Sequence, residues 1–320
     1  MYSIFKQTFP ATAVEHSIYC RFYGGREKNL VLAGANQLRI FRLITVAESK
    51  PGRKDFAENQ PPMTKLECLA TYNLYGSVVS MAAASLAGSQ RDILLLSFSH
   101  AKLSLVEYDP QADNLKTLSL HTFEDEGIGR DHKPPEIRVD PEGRCAIMLV
   151  FRNTLAVLPF RKDSAQETNV TLSSYVIKLT QLEERVDNVV DVQFLHGYYE
   201  PTLIILYEPV GTFAGRTAVR LDTCCMVAVS LNTQQRVHPI IWSLTGLPFD
   251  CAKLLPVPKP LGGALILATN SVIYVNQSVP PFGVAVNSIA DHSTNFPLSE
   301  SFIFYFTLFI FQRMRRFFLG

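Results

Sequence analysis

The chain has 320 residues, 47% of them hydrophobic, and a formal net charge of +1 at pH 7. This length is ample for a buried core and exceeds that of a typical single small domain. A near-neutral charge disfavours a protein whose main task is to coat nucleic acid, because such proteins carry a basic excess on at least one face. Net charge does not exclude a local basic patch.

The N-terminus lacks the basic and then apolar pattern of a secretory signal. The six cysteines form no C-x-x-C pair, and no histidine pair lies at zinc-finger spacing. These observations predict reduced, structural thiols in the cytosol or nucleus and disfavour a zinc site. Adjacent Cys224 and Cys225 would point to opposite faces of a strand, so we expect only one of them to face the core. The glycosylation sequons at Asn169 and Asn276 are interpreted as chance matches.

A two-strand phrase recurs five times along the chain, with an apolar run, a short polar turn and a more alternating run. In chain order the copies occupy residues 29–43, 92–109, 145–160, 202–231 (with a long insertion) and 263–276. Their equivalent positions lie 63, 53, 57 and 61 residues apart, at Leu30, Ile93, Ala146, Leu203 and Ala264. The near-constant interval indicates a repeat protein.

Further short runs rich in Val, Ile, Leu and Phe flank each phrase, which predicts about four strands per repeat. The runs that precede a phrase include 78–86, 189–195 and 248–257, and those that follow include 65–74, 115–123 and 236–244. The insertions 46–60 and 124–135 are predicted to be loops. Helical periodicity is missing from any long stretch, so residues 164–169 and 181–186 are expected to form short turns at most.

A four-stranded sheet with such apolar middle strands must stack face to face on a neighbouring sheet, and radial repetition achieves this with only short exposed edges. The continuous apolar phrase is predicted to be an inner strand buried on both faces, and the alternating phrase to lie further out. The rungs of a β-solenoid are much shorter, and a sandwich would not explain five spaced copies. The sequence therefore predicts an all-β fold, a β-propeller of about five blades.

No motif for catalysis, cofactor binding or metal binding is found, so no catalytic, cofactor-binding or metal-ligating residue is predicted. The seven histidines are scattered. A small basic spot at Arg152, Arg161 and Lys162 is interpreted as chance rather than as an RNA site, and the acidic run at 124–126 as a solvated loop tip. An enzyme that uses the central pocket of a propeller is the least favoured function.

Residues 194–203, Phe-Leu-His-Gly-Tyr-Tyr-Glu-Pro-Thr-Leu, allow two interpretations. One is a binding loop anchored by Tyr198 and Tyr199. The favoured one is a tight turn, in which Gly197 supplies a positive φ and Pro201 starts the next strand. The pair Gly262-Gly263 is likewise interpreted as a turn, and the sole tryptophan, Trp242, is expected to be buried between blades.

The end of the chain is anomalous, because residues 301–310 form an apolar run that is followed by three arginines within six residues. The run is about half of the ~20 residues that a membrane-spanning helix needs. A membrane anchor is therefore disfavoured, and a buried strand or an unnatural chain end is expected.

Several phrases are specific, namely 101–110, 115–121, 139–150, 194–203, 237–251, 257–263 and 276–288. In order and with few gaps, residues 1 to about 298 resemble the N-terminal part of the family formed by the largest subunit of the cleavage and polyadenylation specificity factor. The resemblance implies a nuclear, non-enzymatic scaffold in pre-mRNA 3′-end cleavage and polyadenylation. The implied partners are the WD-repeat and zinc-finger subunits that read the AAUAAA signal, poly(A) polymerase, and pre-mRNA through the complex.

Members of this family have three propellers and a helical domain, and the first propeller has seven blades. The resemblance therefore implies an incomplete seven-bladed ring at 1–298 and a divergent apolar tail at 299–320, which is interpreted as an alternative transcript end or translated intron. Ubiquitin-ligase adaptors that bind damaged DNA share the layout, as does a splicing-factor subunit. An adaptor of that ligase type is the alternative function.

Overall fold

The computed structural model describes residues 13–46, 63–86, 88–123, 134–151, 153–160, 173–209 and 221–299. These residues form five β-sheets with two one-turn helices, so the predicted all-β fold is confirmed. They fall into two compact units, one within 1–139 and 160–174 and the other within 140–159 and 175–320. Among the described residues, no helix is both long and apolar enough to cross a membrane.

The first unit holds nine strands. They are β1 (His16–Cys20), β2 (Asn29–Gly34), β3 (Gln37–Val46), β4 (Met63–Asn73), β5 (Val78–Ser85), β6 (Asp92–Phe98), β7 (Lys102–Asp109), β8 (Asn114–Thr122) and β9 (Glu136–Val139).

The second unit holds the remaining strands and both helices. They are β10 (Cys145–Val150), β11 (Thr154–Pro159), β12 (Tyr175–Lys178), α1 (Leu179–Leu182), β13 (Val189–Phe194), β14 (Thr202–Tyr207), β15 (Cys224–Ser230), β16 (Ile240–Leu247), β17 (Cys251–Pro256), β18 (Ala264–Ala268), β19 (Ser271–Asn276), β20 (Val279–Ala285), α2 (Ala290–Ser293) and β21 (Leu298–Ser299).

Neighbouring strands in each sheet are consecutive in the chain, and the orders are β1-β2-β3-β4, β5-β6-β7-β8, β9-β10-β11-β12, β13-β14-β15-β16 and β17-β18-β19-β20-β21. Each of the five predicted phrases forms the antiparallel middle hairpin of one sheet. In the fourth sheet, for example, the register runs from Thr202↔Ser230 to Tyr207↔Cys225. The prediction of five units with about four strands each is confirmed.

Burial of the predicted inner strands on both faces is confirmed for β10 and β14, whereas β2 and β18 keep half-buried positions. Every residue of β10 and of β14 is buried. Because successive side chains of a strand point to opposite faces, β14 contributes to two separate cores. Leu203 and Ile205 pack into the cluster shared with β10 and β11, whereas Ile204 and Leu206 pack into the cluster shared with β17, β18 and β19.

Three expectations need correction. The alternating strand β11 is buried at every position rather than lying further out, and Leu155 and Val157 on one of its faces pack into the core shared with β14. Cys224 and Cys225 do point to opposite faces, but Cys224 lies in one core cluster and Cys225 packs against the other, so both face a core. Trp242 is only half-buried, because β16 lies on the outer side of its sheet.

Candidate interaction surfaces

Within the part of the chain that the structure describes, no three His, Cys, Asp or Glu side chains come together in a way that could hold a metal ion. The buried thiols are also poor nucleophiles, because burial raises the pKa of Cys20 to about 12 and raises that of Cys145 further. A thiol must ionise to react as a nucleophile.

Buried aspartates tie neighbouring sheets together within each unit. In the first unit, the side chain of Asp92 accepts hydrogen bonds from the backbone N–H of Arg21 at 2.8 Å and from the Ser85 hydroxyl at 2.5 Å. In the second unit, Asp191, which is 1% exposed, accepts from the backbone N–H of Leu254 at 2.9 Å. A buried carboxylate is costly unless it is hydrogen-bonded, so these contacts fix the packing of the sheets.

The turn at 195–201 is confirmed, because the Leu195 N–H donates to the Thr202 carbonyl at 2.8 Å and Gly197 has a φ of +89°. The turn also presents an aromatic ring, since Tyr199 is 96% exposed. Whether this ring binds a partner, as the alternative interpretation holds, stays a prediction.

Arg144 clamps this turn from a neighbouring sheet of the same unit. Its guanidinium donates to the carbonyl oxygens of Tyr198 at 3.1 Å and Tyr199 at 2.6 Å, and binds both carboxylate oxygens of Asp140 at 2.7 and 2.9 Å. The side chain of Asp140 is 0% exposed. The ion pair between Arg144 and the buried Asp140 therefore holds the backbone of the exposed Tyr199 in place. We call residues Phe194–Leu203 the tyrosine loop.

The electrostatics of the tyrosine loop are mixed. Desolvation lowers the pKa of the His196 imidazole, and the nearby carboxylates of Asp140 and Glu142 oppose that shift. Glu142 also lies 3.3 Å from the Arg144 guanidinium. The positive charge of Arg144 is thus engaged by two carboxylates and is poorly placed to bind a phosphate.

A groove opens in the first unit between its two four-stranded sheets. Its volume is about 820 Å³, which lies in the range of ligand-binding clefts. One wall is the end of β4 and the connection to β5, and the other wall is the outer part of the second sheet. The lining residues are Thr71, Tyr72, Asn73, Leu74, Tyr75, Gly76, Ser77, Leu96, Phe98, Ser99, His100, Lys102, Ser104, Val106, Asn114, Leu115, Thr117 and Leu120.

The register of the second sheet explains the second wall. Leu96 on β6 pairs with Ser104 on β7, and Ser104 pairs with Leu120 on β8, so the three side chains form a row on one face. The inner end of this row is buried, whereas Leu120 is 66% exposed. Tyr75 stands fully exposed on the opposite wall. We call this site the inter-sheet groove.

Gly262, Gly263 and Asn276, which the sequence analysis also singled out, lie around one turn of the fifth sheet. Gly262 and Gly263 form the predicted turn with φ of +68° and +74°. The Asn276 side-chain amide donates to the Leu261 carbonyl at 3.3 Å and to the Tyr274 hydroxyl at 2.9 Å. The predictions for 46–60, the acidic run, the basic spot, Asn169 and the apolar run at 301–310 concern residues that lie almost wholly outside the described ranges.

Sequence reasoning missed the inter-sheet groove altogether. Its lining comes from two segments, 71–77 and 96–120, that belong to different repeats. The only local signal was the set of apolar residues at Leu115, Leu118 and Leu120 in an outer strand, which the repeat pattern alone could not distinguish from core.

The fold agrees with the comparison to known families. The family model of the RSE1/DDB1/CPSF1 first beta-propeller matches residues 13–300. The chain belongs to this family. The resemblance inferred from sequence phrases is thereby confirmed, and the five sheets are propeller blades.

Similar proteins carry consistent names. The chain is 52% identical to the cleavage and polyadenylation specificity factor subunit 1 of Drosophila melanogaster, over 93% of this chain and 22% of that protein. It is 41% identical to the probable subunit 1 of Caenorhabditis elegans over 94% of this chain and 21% of that protein, and 34% identical to the Arabidopsis thaliana subunit 1 over 85% and 21%. The chain thus spans about a fifth of the length of these relatives.

Proposed function

We propose that this chain acts in pre-mRNA 3′-end cleavage and polyadenylation as a non-enzymatic scaffold. The observation that carries the proposal is the 52% identity to a cleavage and polyadenylation specificity factor subunit over 93% of the chain. The stacked blades support it, since a propeller offers rigid surfaces for several partners. The chain would work in the nucleus, where pre-mRNA is processed.

The finer part of the proposal concerns partners. The chain would hold the WD-repeat and zinc-finger subunits of the cleavage and polyadenylation specificity factor and support their recognition of the AAUAAA signal, with poly(A) polymerase in the same assembly. It would meet pre-mRNA through the complex. The near-neutral net charge of +1 agrees with indirect rather than direct RNA binding.

The domain organisation follows the same reasoning. We propose a propeller at 1–298 and a separate tail at 299–320. Limited proteolysis of the purified chain should release a stable fragment that ends near residue 298. Progressive degradation from within the blades would contradict this boundary.

Affinity purification of the tagged chain from nuclear extract, followed by mass spectrometry, tests the proposed function. We expect the other subunits of the cleavage and polyadenylation specificity factor to be recovered in stoichiometric amounts. A destabilised variant such as Ile205→Ala, which removes a buried side chain, controls for non-specific recovery. Recovery of ubiquitin-ligase core subunits without polyadenylation factors would instead establish the ligase-adaptor alternative.

A further inference from the structure

We propose that the inter-sheet groove of the first unit is a docking site for an extended, acidic peptide segment of a partner protein, with apolar side chains as anchors. The proposal goes beyond the scaffold function and stands on the geometry of the groove whatever complex the chain enters. Nothing in the repeat or in the family comparison assigns a role to this groove.

The lining of the groove carries exposed apolar side chains that a folded protein would otherwise bury. Tyr75 is fully exposed and Leu120 is 66% exposed, and they stand on opposite walls. Between them lie the half-buried Leu74, Phe98 and Leu115. Apolar residues that cluster in a concave surface mark binding sites more often than apolar residues that are scattered singly.

The charge of the lining selects the kind of partner. Among the described residues, no Asp or Glu side chain lines the groove. The basic side chains in its lining are those of Lys102 and His100. Lys102 is paired in register with Phe98, so the two side chains leave the sheet on the same face and the lysine adds positive charge next to an apolar ring. A peptide that combines Asp or Glu with Leu or Phe complements both features.

A nucleic-acid ligand fits this lining less well. Affinity for single-stranded RNA rests on several phosphate contacts made by Lys or Arg, and one lysine and one histidine supply too few of them. The aromatic rings of Tyr72 and Tyr75 could stack on bases, so RNA binding is an outcome that the test must separate from peptide binding.

The groove is held in place before a ligand arrives. The connection between β4 and β5 is anchored at both ends, because the Leu74 N–H donates to the Asn36 carbonyl at 2.7 Å and the Val78 N–H donates to the Ala35 carbonyl at 3.3 Å. Gly76 lies so close to the Phe98 ring that a Cβ there would stand 3.0 Å from it. A rigid wall reduces the entropy lost on binding.

The test selects binders from a random dodecapeptide display library on the full, immobilised chain and measures the best binder by fluorescence anisotropy. We expect the selected peptides to be enriched in Asp or Glu together with Leu or Phe. Tyr75→Ser, Leu120→Ser and Lys102→Glu should each weaken binding by about tenfold. Leu261→Ser and Val237→Ser, which change exposed apolar residues of the second unit, should leave binding unchanged.

The absence of any enriched peptide would overturn the proposal. An enrichment in Lys and Arg, or binding that survives the three groove substitutions, would overturn it as well. Displacement of the peptide by a labelled oligouridylate of twelve nucleotides would also overturn it, in favour of an RNA site. Unchanged circular dichroism and thermal midpoints would show that the groove variants, all at exposed positions, keep their fold.

Discussion

Two strands of the fourth sheet, β14 and β16, differ sharply in burial. They lie about 10 Å apart, the ordinary spacing of two strands with one strand between them. All six residues of β14 are buried, whereas Ile240, Ser243 and Thr245 of β16 are exposed. The inner strand has a neighbouring sheet on each face, and the outer strand is covered only in part. The same sheet therefore has a side that supports the stack and a side that is free to meet partners.

The sharpest test of this difference uses two isoleucines of the same sheet. Ile205→Ala on β14 should lower the free energy of unfolding by about 2–5 kcal/mol, because it leaves a cavity in a core where Ile205 is 1% exposed. Ile240→Ala on β16 should cost less than about 1 kcal/mol, since Ile240 is 38% exposed. Equal effects in urea denaturation would show that the inner and outer strands do not differ as described.

The second test compares a buried with an exposed ion pair. Arg144→Ala should cost about 2–4 kcal/mol, because it leaves the fully buried carboxylate of Asp140 without its partner. Arg42→Ala removes the ion pair between the Arg42 guanidinium and the Glu67 carboxylate, which lie 2.8 Å apart on the exposed surface. This substitution should leave the melting temperature unchanged, because exposed ion pairs contribute little to stability.

Arg144→Ala should also release the tyrosine loop, since the same guanidinium holds two of its carbonyls. Hydrogen exchange at residues 195–201 should then accelerate relative to the rest of the sheet. Unchanged exchange there would contradict the role of Arg144 as a clamp.

The third test uses two glycines with nearly the same positive φ. Gly246→Ala on β16 places a Cβ at a φ of +72° in open space, and should cost about 1–2 kcal/mol from backbone strain alone. Gly263→Ala, immediately before β18, places a Cβ at a similar φ of +74°, and this Cβ would also lie 2.4 Å from the Val275 carbonyl oxygen. It should therefore cost about 2–3 kcal/mol. Similar thermal midpoints for the two variants would show that the inner turn tolerates the crowding.

The smallest expected effect concerns pH and the outer strands. Burial lowers the pKa of His121, on β8, and of His238, which precedes β16. The unfolded chain, with a histidine pKa of about 6.5, then takes up the proton first, so stability should fall as pH decreases from 7 through that value and level off below the folded pKa. The double variant His121→Gln/His238→Gln should show a smaller decline between pH 7 and 5. An unchanged slope would assign the pH dependence to other groups.

The inner strands were predictable because each is a continuous apolar run, and such runs are typical of strands covered on both faces. β11 shows the limit of this reasoning. Its sequence, Thr-Leu-Ala-Val-Leu-Pro, follows the alternating part of the repeat, yet all six residues are buried. The alternation of apolar and polar residues indicates which residues share a face of the sheet. It does not indicate whether a neighbouring sheet packs on one face or on both.

The surfaces were less predictable, because they depend on contacts between distant residues. Gly197 and Pro201 indicated the turn of the tyrosine loop, but the clamp by Arg144 joins residues 55 positions apart. The inter-sheet groove likewise needs Tyr75 and Leu120 to face each other from different repeats. The two-residue strand β21 and the one-turn helix α2 have too few residues to carry a periodic pattern.

The dual membership of β14 has a consequence for cooperativity. Because alternate residues of one strand belong to two cores, the loss of either flanking sheet would uncover half of the strand. The strands of the second unit that supply these two cores should therefore open together rather than one at a time, and their slowest-exchanging amides should share a single opening free energy. A repeat architecture that looks modular in sequence would then behave, within this unit, as one unfolding step.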